Sequence, residues 1–211
     1  MMNKFVCFAG EECTMIDMSK KEGMQGGIIS SIAFDPSGTD IVAFGSYNRS
    51  ISLCSSDGDL ISNVEAFHSN GITQLKFSPD GRRLYSAARM DERIACWDLR
   101  MRKVLREFRR KADTNQRVYF DVDSAERYLC SGTRDGKLCV WTLQEGEVGK
   151  EESGECLWFV VHCDMVNGVS FHPQWSLMAT ASGQRHVPPL FTNDGCDSVV
   201  SENTLKLWYI G

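Results

Sequence analysis

Three sets of residues in this 211-residue chain have the types needed for nucleophilic or acid–base chemistry. His68, Ser86 and Asp91 come in order with Trp97 behind them; Thr133, Asp135 and Trp141 repeat part of that order, and His162, Ser182 and Trp208 repeat it again. A serine that gives its proton to a histidine oriented by an aspartate is the machinery of acyl transfer. A nucleophile is expected once, beside an oxyanion site, whereas these sets recur at regular places. The recurrence points to a buried hydrogen-bond relay that ties turns to strands, with Lys111 standing where the third histidine belongs. No isolated nucleophile, phosphate loop or supported carboxylate pair is present in the sequence, so the chain is not read as an enzyme.

The elements that carry these residues follow from the clearest copy, His68 to Leu99. It runs from the histidine through alternating residues to Phe77, the turn Ser78-Pro79-Asp80-Gly81, a short strand, a polar turn at Asp91, and Trp97-Asp98. That order is the signature of a WD repeat, one four-stranded blade of a β-propeller. Phe34, Phe77, Phe120 and Phe171 recur at intervals of 43, 43 and 51 residues, and Cys54, Trp97, Trp141 and Trp208 at 43, 44 and 67. The period fits the roughly 40 to 45 residues of this repeat, and one insertion stretches the last interval.

The fold class is therefore all-β, with blades over 25–67, 68–111, 112–161 and 162–211, an insertion at 183–203, and a partial hairpin and linker over 1–24. The expected strands divide as a two-stranded remnant, three blades of four and a last blade of three. A free edge is a hazard that a closed propeller avoids, so the sequence reads as the C-terminal part of a longer ring whose first strand completes the last blade. A compact form of four to five blades remains the alternative. Pro188-Pro189 and Asn193-Asp194-Gly195 mark the insertion as a loop, and the acidic stretch Glu145 to Glu155 as a solvated linker.

Composition narrows the class further. Charged residues make up 24% and hydrophobic ones 42%, and no apolar run reaches the ~20 residues of a membrane span. The nine cysteines are scattered along expected strands without a CxxC pair, which suits reduced, buried thiols. Cys156, His162 and Cys163 lack a second ligand pair, so neither a metal nor another cofactor is expected.

The net charge of −5 argues against indiscriminate attraction to nucleic acid. Locally the sign reverses: Gly71 to Arg117 holds 13 Lys and Arg against 6 Asp and Glu, and Arg100 to Lys111 alone holds seven bases. That run reads either as a solvated edge or as a phosphate-contacting surface, since guanidinium forks suit phosphate and stack on unpaired bases.

Several phrases are more specific than a generic repeat. Gln25-Gly26-Gly27-Ile28-Ile29-Ser30, Gly45-Ser46-Tyr47 with Arg49, Cys96-Trp97-Asp98-Leu99-Arg100, Thr114-Asn115-Gln116-Arg117-Val118-Tyr119-Phe120-Asp121, Asn167-Gly168-Val169-Ser170 and Ala179-Thr180-Ala181-Ser182-Gly183-Gln184-Arg185 stand in that order. Together with the ending Leu205-Lys206-Leu207-Trp208 they resemble the telomerase Cajal body protein family over nearly the whole chain. The resemblance implies a seven-bladed RNA-binding scaffold of the nucleus and its Cajal bodies. Its partners would be box H/ACA small Cajal body RNAs and telomerase RNA, which it carries to Cajal bodies while supporting telomerase assembly. Arg49, Asn115, Gln116, Arg117 and Arg185 lie within the matching phrases and are the first expected RNA contacts, followed by Arg89, Arg93 and Arg134. Two alternatives remain: Gln116 and Arg117 bracing neighbouring blades, and a protein-interaction propeller with no RNA role.

Overall fold

A computed structural model describes residues 4–9, 12–17, 27–64, 67–143, 156–184 and 201–210. The chain divides into two compact units, Met1–Arg109 and Arg110–Gly211. The described residues form seventeen strands and no helix.

In the first unit β1 (Lys4–Ala9) and β2 (Glu12–Asp17) pair as an antiparallel hairpin. Two four-stranded antiparallel sheets follow. One is β3 (Ile29–Phe34), β4 (Ile41–Ser46), β5 (Ile51–Ser55) and β6 (Leu60–Val64); the other is β7 (Ile72–Phe77), β8 (Arg83–Ala88), β9 (Arg93–Asp98) and β10 (Lys103–Arg109). Each is a propeller blade whose strands lie in sequence order, as short turns between antiparallel strands require. The Ser78 to Gly81 turn shows how local chemistry sets one such connection. Ser78 Oγ donates to Asp80 Oδ1 at 2.6 Å and accepts from the Arg83 N–H at 2.9 Å, and Gly81 takes the left-handed φ of +70°.

The blades of this unit meet through β3, β4 and β7. Ala43, Ile51, Leu53 and Val64 form one core with Ile72, Leu75, Phe77, Leu84 and Trp97. Burying a side chain the size of Ile72, which is fully covered, contributes about 1.5–3 kcal/mol. Gly45 makes the approach possible, because a Cβ there would stand 2.5 Å from Ile72 Cγ2. Polar bonds add to it: the Leu75 N–H donates to Ser31 Oγ at 2.9 Å, and Ser30 Oγ donates to the Ile72 carbonyl at 2.5 Å. Ser31 and Ala33 thus face β7, and the alternate residues Ile32 and Phe34 face the other way. Phe34, which shares the repeat position of Phe77 and Phe120, is 63% exposed.

The second unit holds β11 (Phe120–Val122), β12 (Tyr128–Gly132), β13 (Lys137–Thr142) and β14 (Cys156–Val160) as one blade. A three-stranded sheet of β15 (Val166–Phe171), β16 (Leu177–Ser182) and β17 (Leu205–Tyr209) follows. Cys130, Leu138, Val161, Val166, Val169 and Met178 form the core between them, with Trp208 packed against it. Asp121 on β11 accepts the Phe171 N–H of β15 at 2.7 Å. Inner strands β3, β7 and β15 share a register shift, placing Ser30, Thr73 and Asn167 at a bulge. Each bulged side chain donates to a main-chain carbonyl: Ser30 to Gly45, Thr73 to Ala87 and Asn167 to Gly183.

The relay residues fall out differently in each blade. In the β7–β10 blade His68 Nδ1 lies 3.1 Å from Asp91 Oδ2, His68 Nε2 lies 2.8 Å from Ser86 Oγ, and Trp97 Nε1 donates to Ser86 Oγ at 2.8 Å. In the last sheet the hydroxyl is Thr180 rather than Ser182. His162 Nε2 lies 2.8 Å from Thr180 Oγ1, to which Trp208 Nε1 also donates at 2.8 Å. Ser182 instead donates to the Glu202 carbonyl and accepts from the Thr204 N–H. The acid of this relay is Glu202, whose Oε1 is 3.0 Å from His162 Nδ1. In the β11–β14 blade Arg110, not Lys111, takes the histidine's place: it is buried and donates to Ser131 Oγ. Lys111 is exposed and pairs with Asp135 at 3.5 Å. Thr133 and Asp135 belong to the turn itself, where Thr133 Oγ1 donates to Asp135 Oδ1 at 2.7 Å, while Trp141 is buried beneath.

Candidate nucleic-acid interface

The turns that leave the second strand of each blade position the basic candidates. In the first unit Tyr47, Asn48, Arg49 and Ser50 join β4 to β5, closed by the Arg49 N–H donating to the Ser46 carbonyl at 3.1 Å. In the second unit Thr133, Arg134, Asp135 and Gly136 join β12 to β13, and because Gly45 faces Ile51 as Gly132 faces Leu138, Gly136 stands where Arg49 does. These two equivalent residues are both left-handed, with φ +77° at Gly136 and +71° at Arg49. A residue with a Cβ pays a strain there that glycine does not.

Arg89, the first residue after β8, sits where Tyr47 sits after β4. Its N–H donates to the Gly71 carbonyl at 2.9 Å, and its guanidinium lies 4.8 Å above the Tyr47 ring. Gly71 lets that ring approach, since a Cβ on it would meet Tyr47 Cδ1 at 2.7 Å. Among the described residues no carboxylate pairs with Arg49 or Arg89. Arg93 is different. It grips Asp91 through Nε at 2.9 Å and Nη2 at 3.0 Å, so its charge is committed to the relay. Burial alone would raise the Asp91 pKa, but hydrogen bonds from His68, Arg93 and the Ser69 N–H outweigh it and hold the carboxyl well below its ordinary range.

In the second unit Arg117 donates to Tyr119 Oη at 3.1 Å and lies 5.5 Å over the same ring. Asn115 is exposed beside it, and the Gln116 N–H is held by Thr114 Oγ1 at 3.1 Å. Arg134 pairs with Asp113 at 3.1 Å on an open surface, where such a pair contributes ~0–1 kcal/mol. Arg185, most of the insertion and the acidic stretch lie outside the described residues. The base-rich run is divided in use: Arg100, Arg102 and Lys103 are exposed, Arg109 pairs with Glu107, and Arg110 is buried.

Chemistry of other kinds finds little support in these side chains. Among the described residues no group of His, Cys, Asp and Glu could hold a metal ion. Burial pushes the Cys139 thiol up to about 12 and raises Cys130 as well, which keeps both neutral and poor as nucleophiles. Thr204 and the Cys163 N–H donate to the Glu202 carboxylate and hold its pKa well below the usual range, so it serves as an anchor rather than a proton donor.

Likeness to known proteins agrees with this geometry. The WD domain, G-beta repeat family matches residues 60–98. Human telomerase Cajal body protein 1 is 41% identical over 96% of this chain and 39% of its own length. The golden hamster protein of that name is 41% identical over 88% of this chain, and the Drosophila melanogaster homologue 31% over 68%. Over most of its own length the chain is similar to the telomerase Cajal body proteins. It spans 30% to 39% of the length of these relatives. A computationally designed protein, Ika4, shares the fold with a TM-score of 0.58 at 20% identity, covering 90% of this chain and 95% of its own.

Within the phrases that mark the telomerase Cajal body family, structural and exposed residues interleave. In the Thr114 to Asp121 phrase Thr114 and Asp121 make backbone bonds, whereas Asn115, Arg117 and Tyr119 face solvent. Sequence reasoning singled out the arginines and passed over Tyr47 and Tyr119. The signal was available as an aromatic two residues from an arginine in both phrases.

Proposed function

We propose that this chain is part of an RNA-binding WD-repeat scaffold that holds box H/ACA small Cajal body RNAs and telomerase RNA. It directs those ribonucleoproteins to Cajal bodies in the nucleus and supports telomerase assembly. The observation that carries the reading is the repeated pairing of an exposed tyrosine with an arginine at blade turns, Tyr47 with Arg89 and Tyr119 with Arg117. Aromatic faces take unpaired bases and guanidinium groups take phosphates, which is how single-stranded loops are recognised. Likeness to the telomerase Cajal body proteins makes a small nuclear RNA the ligand to test first. Arg49, Asn115, Gln116, Arg117 and Arg185 remain the first residues proposed to touch it, with Arg89 beside them. Arg93 and Arg134 drop back because each is engaged by an aspartate.

A second reading, a scaffold for protein partners alone, draws on β14, where Leu157, Trp158, Phe159 and Val160 are all exposed. Crosslinking RNA to the endogenous protein in cells, purifying it under denaturing conditions and sequencing the attached RNA separates the two. Enrichment of H/ACA terminal loops, lost when Arg49, Arg117 and Arg185 become alanine, is the expected result. Background RNA from a folded, full-length protein would leave the protein-partner scaffold as the better account.

A further inference from the structure

Tyr47 stands out among the turn residues. Its position is filled by Arg89, Arg134 and Gly183 in the other blades, so the turn itself has no need of an aromatic ring. The ring is 41% exposed, yet it is held in place, by Gly71 against it and by the Arg89 guanidinium over it. A fixed, exposed aromatic surface loses little side-chain freedom when a flat ligand settles on it. The charges around it are equally placed for a ligand. Arg82, Arg93, Arg109, Arg127 and Arg134 each meet a carboxylate, while among the described residues none reaches Arg49 or Arg89. Arg49 also occupies the left-handed position that Gly136 fills in the equivalent turn, at a cost in backbone strain that folding does not require.

We infer that Tyr47 is a stacking platform for one unpaired nucleobase, with Arg49 and Arg89 contacting the phosphates on either side of it. This rests on the RNA-binding reading above. The stack is indifferent to base identity, because every base offers a π-face. It therefore supplies affinity for a looped-out strand and leaves sequence choice to other contacts.

The test uses the full-length protein and two fluorescein-labelled RNAs, an oligoadenylate 12-mer and a blunt duplex, with binding read by anisotropy across a salt series. Tyr47→Leu is expected to weaken the single strand by about fivefold to hundredfold, the range for loss of one base stack, with the salt slope unchanged. Tyr47→Phe should stay within about twofold of wild type. Arg49→Gly and Arg89→Gln should each lower the salt slope by about 0.7, the value for one phosphate on a single strand. Arg49→Gly should melt no lower than wild type, which separates lost binding from lost folding. Ultraviolet crosslinking of the wild type, mapped by mass spectrometry, should place RNA on Tyr47 without any variant. Wild-type binding that Tyr47→Leu leaves intact, or crosslinks that avoid the Tyr47 turn, would overturn the platform while the RNA scaffold stands. No preference of the wild type for the single strand over the duplex, with no H/ACA RNA recovered from cells, would remove both.

Discussion

The Asp91 carboxylate is the point at which the β7–β10 blade should be most sensitive to a single atom change. It is buried and accepts hydrogen bonds from His68 Nδ1, the Ser69 N–H and hydroxyl, and the Arg93 N–H, Nε and Nη2, all at 2.9 to 3.3 Å. Asp91→Ala leaves two main-chain donors and His68 Nδ1 without their acceptor, at about 1–3 kcal/mol for each that water does not reach. Arg93 keeps an exposed edge and rehydrates, so it adds little. Water entering the space left by the carboxylate recovers part of the rest, and the expected net loss is about 2–4 kcal/mol. With a urea dependence of ~2 kcal/mol per molar, the midpoint reported by buried Trp97 should fall by about 1–2 M. Asp91→Asn keeps one acceptor oxygen and should lose about half as much.

The pH dependence carries its own sign. The folded pKa lies below the ordinary 3.8, so the unfolded chain takes up the proton first. The stability due to this charge is complete above about pH 5 and drains away as the pH falls through the acid range. The gap between wild type and Asp91→Asn should therefore be constant near neutrality and close toward pH 3. A neutral-pH loss below about 0.5 kcal/mol for Asp91→Ala, or a gap that widens in acid, would refute the account of the relay.

Two further changes probe the second unit. Gly132→Ala places a Cβ against the Val166 backbone carbonyl, so β12 and β15 must part; a loss of about 2–3 kcal/mol is expected in thermal or urea unfolding, where Gly38→Ala, in open space, should lose about 1. Thr180→Val removes the hydroxyl shared by His162 and Trp208 and should lower stability by about 2 kcal/mol, against about 1 or less for Ser182→Ala; the reverse order in melting temperature would return the relay to Ser182.

What the sequence disclosed and what it withheld divide along one line. The all-β repeat was legible because it depends on local signals: turn residues such as Ser78 to Gly81, alternation, and a period shared by Phe77 and Trp97. Pairing across strands was less so, because it depends on register. In β8 and β9 Leu84 faces Trp97 and the relay hydroxyl comes two residues later, at Ser86. In β16 and β17 Met178 faces Trp208, which puts the hydroxyl at Thr180. In β12 and β13 Leu129 faces Trp141, which puts it at Ser131. Ser182 and Thr133, the hydroxyls read from sequence, each lie two positions beyond the residue that this register selects. The acid of the last relay was hidden for another reason: Glu202 lies forty residues from His162, beyond the insertion, where no local spacing connects them.

The interface was half legible for a related reason. Charge is visible in sequence, but its availability is not, since Arg89 and Arg93 differ only in what the fold sets beside them. The buried Arg110 shows how far that neighbourhood changes a blade. An imidazole can donate at one nitrogen and accept at the other, so His68 joins the Asp91 turn to the Ser86 hydroxyl. A guanidinium only donates. Arg110 can satisfy the Ser131 oxygen, but the serine proton must go elsewhere, and main-chain carbonyls of Tyr119 and Gly132 lie at 3.2 and 3.1 Å. An acid at that turn therefore has no imidazole to hold. Asp135 is accordingly taken up by Thr133 and Lys137 from the turn itself and by Lys111 from the link before β11. The change from histidine to arginine thus removes the side-chain link between the turn and the Ser131 hydroxyl, and the turn is tied instead to Lys111, whose carbonyl accepts the Arg134 N–H at 2.9 Å and whose ammonium meets Asp135.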